Sequence, residues 1–156
     1  MEPIYTNPKV PTVEQLYRTN TVIWAATLMS QLMFIVLLYF AKSELFRLDS
    51  VANPTIAINP VIYILAFLGL TTFALSFVLK TRFLKLASEN RAVGLVQTGQ
   101  VVAYALCEAT SLFGLVAAFA FNFPLFFLWF IVGIVGVLLH FPRRDAFQAA
   151  AFTGIN

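Results

Sequence analysis

The chain has 156 residues, of which 60% are hydrophobic, 15% aromatic and only 11% charged, with a mean hydropathy of +0.86 and a net charge of +3. Soluble domains carry about 25% charged residues, so this composition excludes a disordered chain and an ordinary soluble enzyme. Ten basic residues are too few for a phosphate-binding surface, which excludes a nucleic-acid partner. The single cysteine, Cys107, excludes an internal disulfide and a paired-cysteine metal site. The composition therefore indicates one membrane domain, residues 1–156.

Four stretches are long and apolar enough to cross a bilayer, which takes about 20 mostly apolar residues in a helix. They cover about residues 19–41, 60–79, 94–121 and 125–141. Each is apolar on all sides, whereas membrane β-strands alternate apolar and polar residues. The predicted fold is all-α: an antiparallel bundle of four transmembrane helices, with a basic cytoplasmic loop at 80–93 between the second and third helices.

Helix-boundary residues agree with these spans. Thr12 and Gln15 form a capping-box pattern, which predicts an interfacial helix that runs into the first span. Pro60 lies at a predicted helix start, where the backbone N–H that proline lacks would have no partner within the helix. Asn122 and Pro124 predict a tight turn that makes the third and fourth spans antiparallel neighbours.

The orientation follows from the basic residues, because Lys and Arg concentrate in cytoplasmic flanks. Eight of the ten lie on one side of the predicted bundle: Lys9, Arg18, Lys80, Arg82, Lys85, Arg91, Arg143 and Arg144. Lys42 and Arg47 lie on the other side. We therefore expect both termini in the cytoplasm, no cleaved signal, and contact of Lys80, Arg82, Lys85 and Arg91 with lipid headgroups.

Glu108 is the one charged residue inside a predicted span. A carboxylate at the bilayer centre costs a few kcal/mol, so it must be neutralised, paired or hydrated. Because desolvation disfavours the charged form, such a group is suited to taking up and releasing a proton. The competing interpretation is that a protonated Glu108 donates an interhelical hydrogen bond and is purely structural.

Other polar residues share the helix face of Glu108. At about 100° per residue, five side chains fall within an arc of about 100°: Gln97, Gln100, Tyr104, Glu108 and Ser111. Polar residues in a span face the protein interior or water rather than lipid. The pattern therefore predicts a polar stripe from the cytoplasmic loop to the middle of the membrane.

His140 is the only histidine and lies at the cytoplasmic end of the fourth span. It is a weak candidate for an axial ligand of haem or chlorin, and a solvated interfacial side chain is the more common role. Apart from that, no cofactor and no metal site are predicted.

One segment resembles a known family. Residues 103–124 read AYALCEATSLFGLVAAFAFNFP, with ALCEA at 105–109, FGLV at 113–116, and then Asn122 and Pro124. This is similar to the ion-carrying helix of the rotary ATPase proteolipid, the c subunit of F-type ATP synthases. The rest of the chain does not match that pattern.

The resemblance implies that Glu108 is the ion-carrying carboxyl within an oligomer. Sodium-type sites of that family place a hydroxyl and a tyrosine where this chain has Ala109 and Phe113. The resemblance therefore implies proton transport rather than sodium transport.

The sequence thus predicts a membrane protein of the bacterial inner membrane or its equivalent, whose partners are the bilayer and copies of itself or other membrane subunits. Proton binding or translocation at Glu108 is the leading function. A non-catalytic accessory subunit of a larger membrane complex is the alternative. An enzyme is less favoured, because the chain lacks both the intramembrane polar cluster of glutathione-dependent enzymes and the cysteine pairs of quinone reductases.

Overall fold

The computed structural model describes residues 12–47 and 59–152, and every regular element in these ranges is helical. The predicted all-α class is therefore confirmed. A short 3-10 helix at Ser43–Phe46 follows the first of five α-helices. These are α1 Val13–Ala41, α2 Pro60–Asn90, α3 Val93–Phe121, α4 Phe127–Leu139 and α5 Arg144–Phe152.

Three of these helices, α1, α2 and α3, are long and apolar enough to cross a membrane. The 13 residues of α4 rise only about 20 Å, less than the ~30 Å of a hydrocarbon core. Together α4 and α5 pass the same test, with a bend of 48° between them. Residues 12–47 and 59–152 therefore contain three candidate spans, or four if the bent pair counts as one.

The predicted helix boundaries have the expected caps. The Thr12 N–H donates to Gln15 Oε1 at 2.9 Å, and the Gln15 N–H donates to Thr12 Oγ1 at 3.3 Å. Asn59 caps the start of α2 through its side-chain oxygen. At the end of α3, Asn122 adopts a left-handed conformation (φ 48°), which asparagine tolerates better than most residues, and its N–H bonds to Ala118 O. The predicted turn before the fourth span is therefore present.

The structure differs from the predicted loop at 80–93, because α2 continues as a helix to Asn90. This segment contains Lys, Leu, Ala, Glu and Arg but neither glycine nor proline, so nothing in it ends the helix. The helix ends at Arg91, which is left-handed (φ 51°). Only Arg91 and Ala92 separate α2 from α3.

The central helix is α3, which packs against α2, α4 and α1. Within the 18-residue stretch that makes each helix a candidate span, 44% of the residues are buried in α3, 17% in α2 and 11% in α1. The outer faces of α1 and α2 are strongly apolar and exposed, which suits contact with lipid. α3 therefore contributes more buried residues than any other helix.

A second difference concerns the segment after the fourth predicted span, for which no helix is predicted. Residues 144–152 instead form α5, whose Phe147 and Ala150 are 0% and 2% exposed. They pack against Ala87 of α2 and Val96 of α3. This helix therefore closes one end of the bundle.

The end that α5 closes is named the basic end, because most of the basic residues lie there. Those within the described ranges are Arg18, Lys80, Arg82, Lys85, Arg91, Arg143 and Arg144. Lys9 lies outside the described residues. Lys42 contacts Asn122 at the opposite end, where the Lys42 ammonium donates to Asn122 Oδ1 at 2.7 Å.

Candidate functional site

The candidate site is the interface between α1 and α3. The buried residues of α1 are Asn20, Thr27, Gln31 and Leu38, which recur at helical spacing and so share one face. The first three are polar and the last is apolar. We name the polar part of this interface the polar column. It consists of Asn20, Thr27, Ser30 and Gln31 of α1 and Gln100, Tyr104, Glu108 and Ser111 of α3.

Tyr104 is the centre of the hydrogen bonds nearest the basic end. Its side chain is 1% exposed, and its hydroxyl accepts from Asn20 Nδ2 at 3.2 Å. The same hydroxyl donates to Gln100 Oε1 at 3.0 Å and lies 3.3 Å from the His140 carbonyl oxygen. The predicted neighbours Gln100 and Tyr104 are therefore bonded to each other and to residues of α1 and the end of α4.

Glu108 lies at the middle of α3 and is half-buried. The Ser30 hydroxyl of α1 donates to Glu108 Oε1 at 2.5 Å, a separation typical of a hydroxyl that bonds to a carboxylate. Its neighbours Ala105 and Leu112 are exposed, so Glu108 lies at the edge of the column next to the outer surface. The carboxyl is thus held by one partner and reachable from outside the bundle.

The column ends at Gln31 and Ser111, both of which are 0% exposed. A Cβ added to Gly133 of α4 would overlap Ser111 Oγ and lie 3.4 Å from Gln31 Oε1, so both side chains face the same part of α4. Ser111 belongs to the predicted stripe, but it faces Gly133 and Gln31. Gln97 lies at the other end of the stripe and is partly buried.

Several buried polar atoms of the column have no hydrogen-bond partner among the described residues: Asn20 Oδ1, Gln31 Oε1, Gln31 Nε2 and Ser111 Oγ. Buried polar groups in proteins nearly always have a partner, because an unpaired one costs about 1–3 kcal/mol. These atoms therefore mark the part of the interior with the greatest capacity for further hydrogen bonds.

Beyond Gln31 the same interface is apolar. We name this part the apolar cluster, and its buried members are Leu38, Leu45, Ala118, Phe126 and Phe130. Leu38 and Ala118 are 0% exposed and Phe130 is 2% exposed. The α1–α3 interface therefore has a polar half toward the basic end and an apolar half toward the opposite end.

The interpretation of His140 as a solvated side chain is wrong, since it is 1% exposed. Its Nε2 lies 2.9 Å from Ser76 Oγ, and its Nδ1 lies 3.5 Å from Lys80 Nζ. An ammonium only donates, so Nδ1 accepts and the ring proton is on Nε2. The Phe77 ring of α2 packs against His140 with the ring centroids 4.4 Å apart, a contact that the sequence position alone does not reveal.

Both ring nitrogens of His140 have partners, so an axial bond to haem or chlorin requires one partner to move. Lys80 also differs from the other predicted headgroup residues. Arg82, Lys85 and Arg91 are exposed, whereas Lys80 is partly buried with its ammonium directed at His140. Headgroup contact therefore fits Arg82, Lys85 and Arg91 better than Lys80.

The contribution of α1 was missed by the sequence reasoning, although a signal was present. Asn20, Thr27 and Gln31 are separated by seven and four residues within an apolar span. That spacing puts them on one helix face, as the structure shows. The Trp24 indole N–H also donates to the Val137 carbonyl oxygen at 2.8 Å, which joins α1 to α4.

No protein-family model, curated protein or solved structure matches this chain. Its function is therefore inferred from the polar column and the side chains around it.

Proposed function

We propose that this chain is an integral membrane protein with four spans and that Glu108 takes up and releases a proton during its function. Three helices with the required length and hydropathy, and the bent pair α4 and α5, support the four-span arrangement. The observation that carries the proton-binding role is the position of Glu108. It is a carboxyl in the middle of α3, bonded to Ser30 and aligned with the polar column.

The chemistry of the column supports this role. A carboxyl away from bulk water favours its neutral form, so its protonation depends on the polar groups around it. Hydroxyl groups both donate and accept, so Ser30 and Tyr104 are able to pass a proton along hydrogen bonds. Gln100 and Asn20 orient the Tyr104 hydroxyl. The column therefore combines a proton-binding group with groups that relay protons.

The basic end is the cytoplasmic side in this proposal, because eight of the ten basic residues concentrate there in the sequence. Glu108 borders the outer surface, which suits contact with another copy of the chain or another membrane subunit. A proteolipid-like oligomer in a bacterial inner membrane, or in an equivalent energy-converting membrane, is the setting that we propose.

A structural role is the second candidate, and the attachment of α1 favours it. This helix is the least buried of the three long ones, and side-chain hydrogen bonds join it to the others at Ser30, Asn20 and Trp24. In this role Glu108 remains protonated and serves as an interhelical hydrogen-bond partner of an accessory subunit.

Carbodiimide labelling separates the two roles, because the reagent modifies protonated carboxyls in apolar surroundings. The full-length protein in lipid vesicles is labelled at a series of pH values, and the adduct is located by peptide mass analysis. The proton-binding role predicts that labelling of Glu108 falls as the pH rises. Glu89, an exposed carboxyl at the basic end, is the internal control that shows the response of a solvated group. Labelling of Glu108 that is independent of pH contradicts the proton-binding role.

Glu108→Gln provides the matched variant. Glutamine keeps a hydrogen-bond partner for Ser30 but has no titratable proton. The proton-binding role predicts normal assembly with loss of any proton-linked activity. The structural role predicts that Glu108→Gln is tolerated throughout and that Glu108→Leu weakens the attachment of α1.

A further inference from the structure

We infer that Glu108 exchanges its proton with the basic end only, through the polar column, and that the apolar cluster closes the route to the opposite end. This inference rests on the proposed function and adds a direction to it. It follows from the difference between the two halves of the α1–α3 interface and from the unpaired polar atoms in one of them.

The route toward the basic end has polar groups at each level of the interface. Ser30 bonds to Glu108, and Thr27 lies about one turn closer to the basic end on the same helix. Tyr104 lies one turn from Glu108 on α3 and bonds to Asn20 and Gln100. On α3, Gln100, Tyr104 and Glu108 thus follow one another at intervals of about one helical turn, ~5.4 Å.

The unpaired polar atoms of the column lie on both sides of Glu108. Asn20 Oδ1 lies toward the basic end, while both amide atoms of Gln31 and Ser111 Oγ lie on the far side of Glu108. Buried waters occupy sites with several unsatisfied polar groups, and they link such groups into hydrogen-bonded chains. These atoms therefore place further donors and acceptors on both sides of Glu108, and among the described residues none of them lies beyond Gln31.

The route toward the opposite end has no such groups. Between Gln31 and Leu38 every residue of α1 is apolar, and every residue of α3 from Leu112 to Phe121 is apolar as well. Gln31 and Leu38 are seven positions apart, which corresponds to about 10 Å along the helix. Leu38, Ala118 and Phe130 fill the interface with almost no exposed surface. A proton therefore meets no hydrogen-bonding side chain in this half.

No charged side chain faces Glu108 from the helices around it. The charged residues of α1 are Glu14 and Arg18, and those of α2 begin at Lys80, so both groups lie at the basic end. The sequence of α4 contains none. The nearest titratable groups are Tyr104 and Cys107 on α3 itself. None of these helices therefore places a charged side chain beside Glu108.

Vesicles with a different pH on each side provide the test. The full-length protein is reconstituted, and its orientation is read from an impermeant amine reagent that modifies either Lys85 at the basic end or Lys42 at the opposite end. The pH is then changed on one side at a time, and carbodiimide labelling of Glu108 is measured by mass. We expect the extent of labelling to change with the pH on the side of Lys85 and to be unaffected by the pH on the side of Lys42.

The outcomes separate this inference from the proposed function. Labelling that follows the side of Lys42, or both sides equally, overturns the direction but leaves proton binding by Glu108 intact. Labelling that responds to the pH on neither side contradicts the proposed function and therefore also contradicts this inference.

A pair of variants tests the route itself. Asn20→Leu replaces a polar group of the column by an apolar one, and we expect it to delay the response of Glu108 to a pH jump several-fold. Thr19→Leu makes the same kind of change on the exposed neighbouring residue and is expected to respond like the wild type. Tyr104→Phe, which keeps the ring, tests the same step if Asn20→Leu fails to fold. An unchanged response in a folded variant at both positions overturns the column as the route.

Discussion

The two halves of the α1–α3 interface differ in how they hold the helices together. Toward the basic end, Asn20 bonds to Tyr104 and Ser30 bonds to Glu108. Toward the opposite end, Leu38 packs against Phe130 and Ala118 without a polar atom. Inside a bilayer the apolar half gains little from the hydrophobic effect, because lipid tails are as apolar as leucine, so its stability comes from close packing.

The two halves are also expected to differ in their roles, with the apolar half contributing to stability and the polar half to the proposed proton exchange. Close packing requires matched shapes, and an apolar interface of this kind blocks water. The polar half has paired and unpaired groups side by side, which costs stability. We therefore expect stability to depend mainly on shape and proton exchange mainly on the column, and the following changes test that division.

The largest loss of stability is expected where the two halves meet, at Gly133. A Cβ there would overlap Ser111 Oγ and lie 2.8 Å from the Cys107 carbonyl oxygen. We expect Gly133→Val to lower the free energy of unfolding, measured by denaturing-detergent titration in micelles, by about 3 kcal/mol. Gly94→Ala is the matched control, because a Cβ there meets nothing within 4 Å. Equal stability of the two variants would contradict the packing at Gly133.

A smaller loss is expected in the apolar cluster. Leu38→Ala leaves a cavity at a side chain that is 0% exposed. The same titration should show a loss of about 2 kcal/mol, the lower end of the range for buried leucines, because lipid replaces water in the reference state. Phe40→Ala removes a larger side chain that is 80% exposed and should change the stability little. The reverse order would contradict the close packing of this half.

In the polar half, Tyr104→Phe removes one hydroxyl and three hydrogen-bond contacts. We expect a loss of about 1 kcal/mol, because hydrogen bonds between membrane helices are individually weak. Tyr63→Phe is the control, since Tyr63 is 63% exposed. A double-mutant cycle of Tyr104→Phe with Asn20→Ala should show coupling between the two sites, and independent effects would disprove the contact.

The smallest effect is expected outside both halves, at the ion pair between Arg144 of α5 and Glu14 of α1. Both side chains are more than half exposed, so water and salt screen the pair. Arg144→Gln should change the unfolding free energy by about 0.5 kcal/mol at low salt and less at high salt. A loss as large as that of Leu38→Ala would show that α5 is held by charge and not by Phe147.

Much of the fold follows from the sequence, because span length, caps and turn residues are local signals. Thr12, Asn59 and Asn122 mark their helix ends as expected. The helical state of residues 80–90 and of α5 does not follow from the sequence, because a basic segment and a tail of small residues are compatible with a loop as well as with a helix. Their helical state depends on Ala87 and Phe147 packing together, which is a tertiary contact.

The candidate site was predicted in part. The α3 face with Gln100, Tyr104 and Glu108 follows from helical spacing, but the partner face cannot be paired with it from one sequence. Ser30 and Gln31 are uncharged, so neither can be recognised in the sequence as an ion-pair partner of Glu108. His140 was misjudged for a similar reason, since its burial depends on Phe77 and Ser76 of another helix.

Infrared difference spectroscopy of the Glu108 carboxyl tests the central claim most directly. The protonated carboxyl has its own C=O stretching band, which is assigned by its loss in Glu108→Gln. Protein in vesicles is titrated from acidic to alkaline pH while Glu108→Gln serves as the baseline. We predict that the band assigned to Glu108 disappears as the pH rises and returns when it is lowered. A band that keeps its full intensity over the whole range in which the protein stays folded would contradict proton exchange at Glu108.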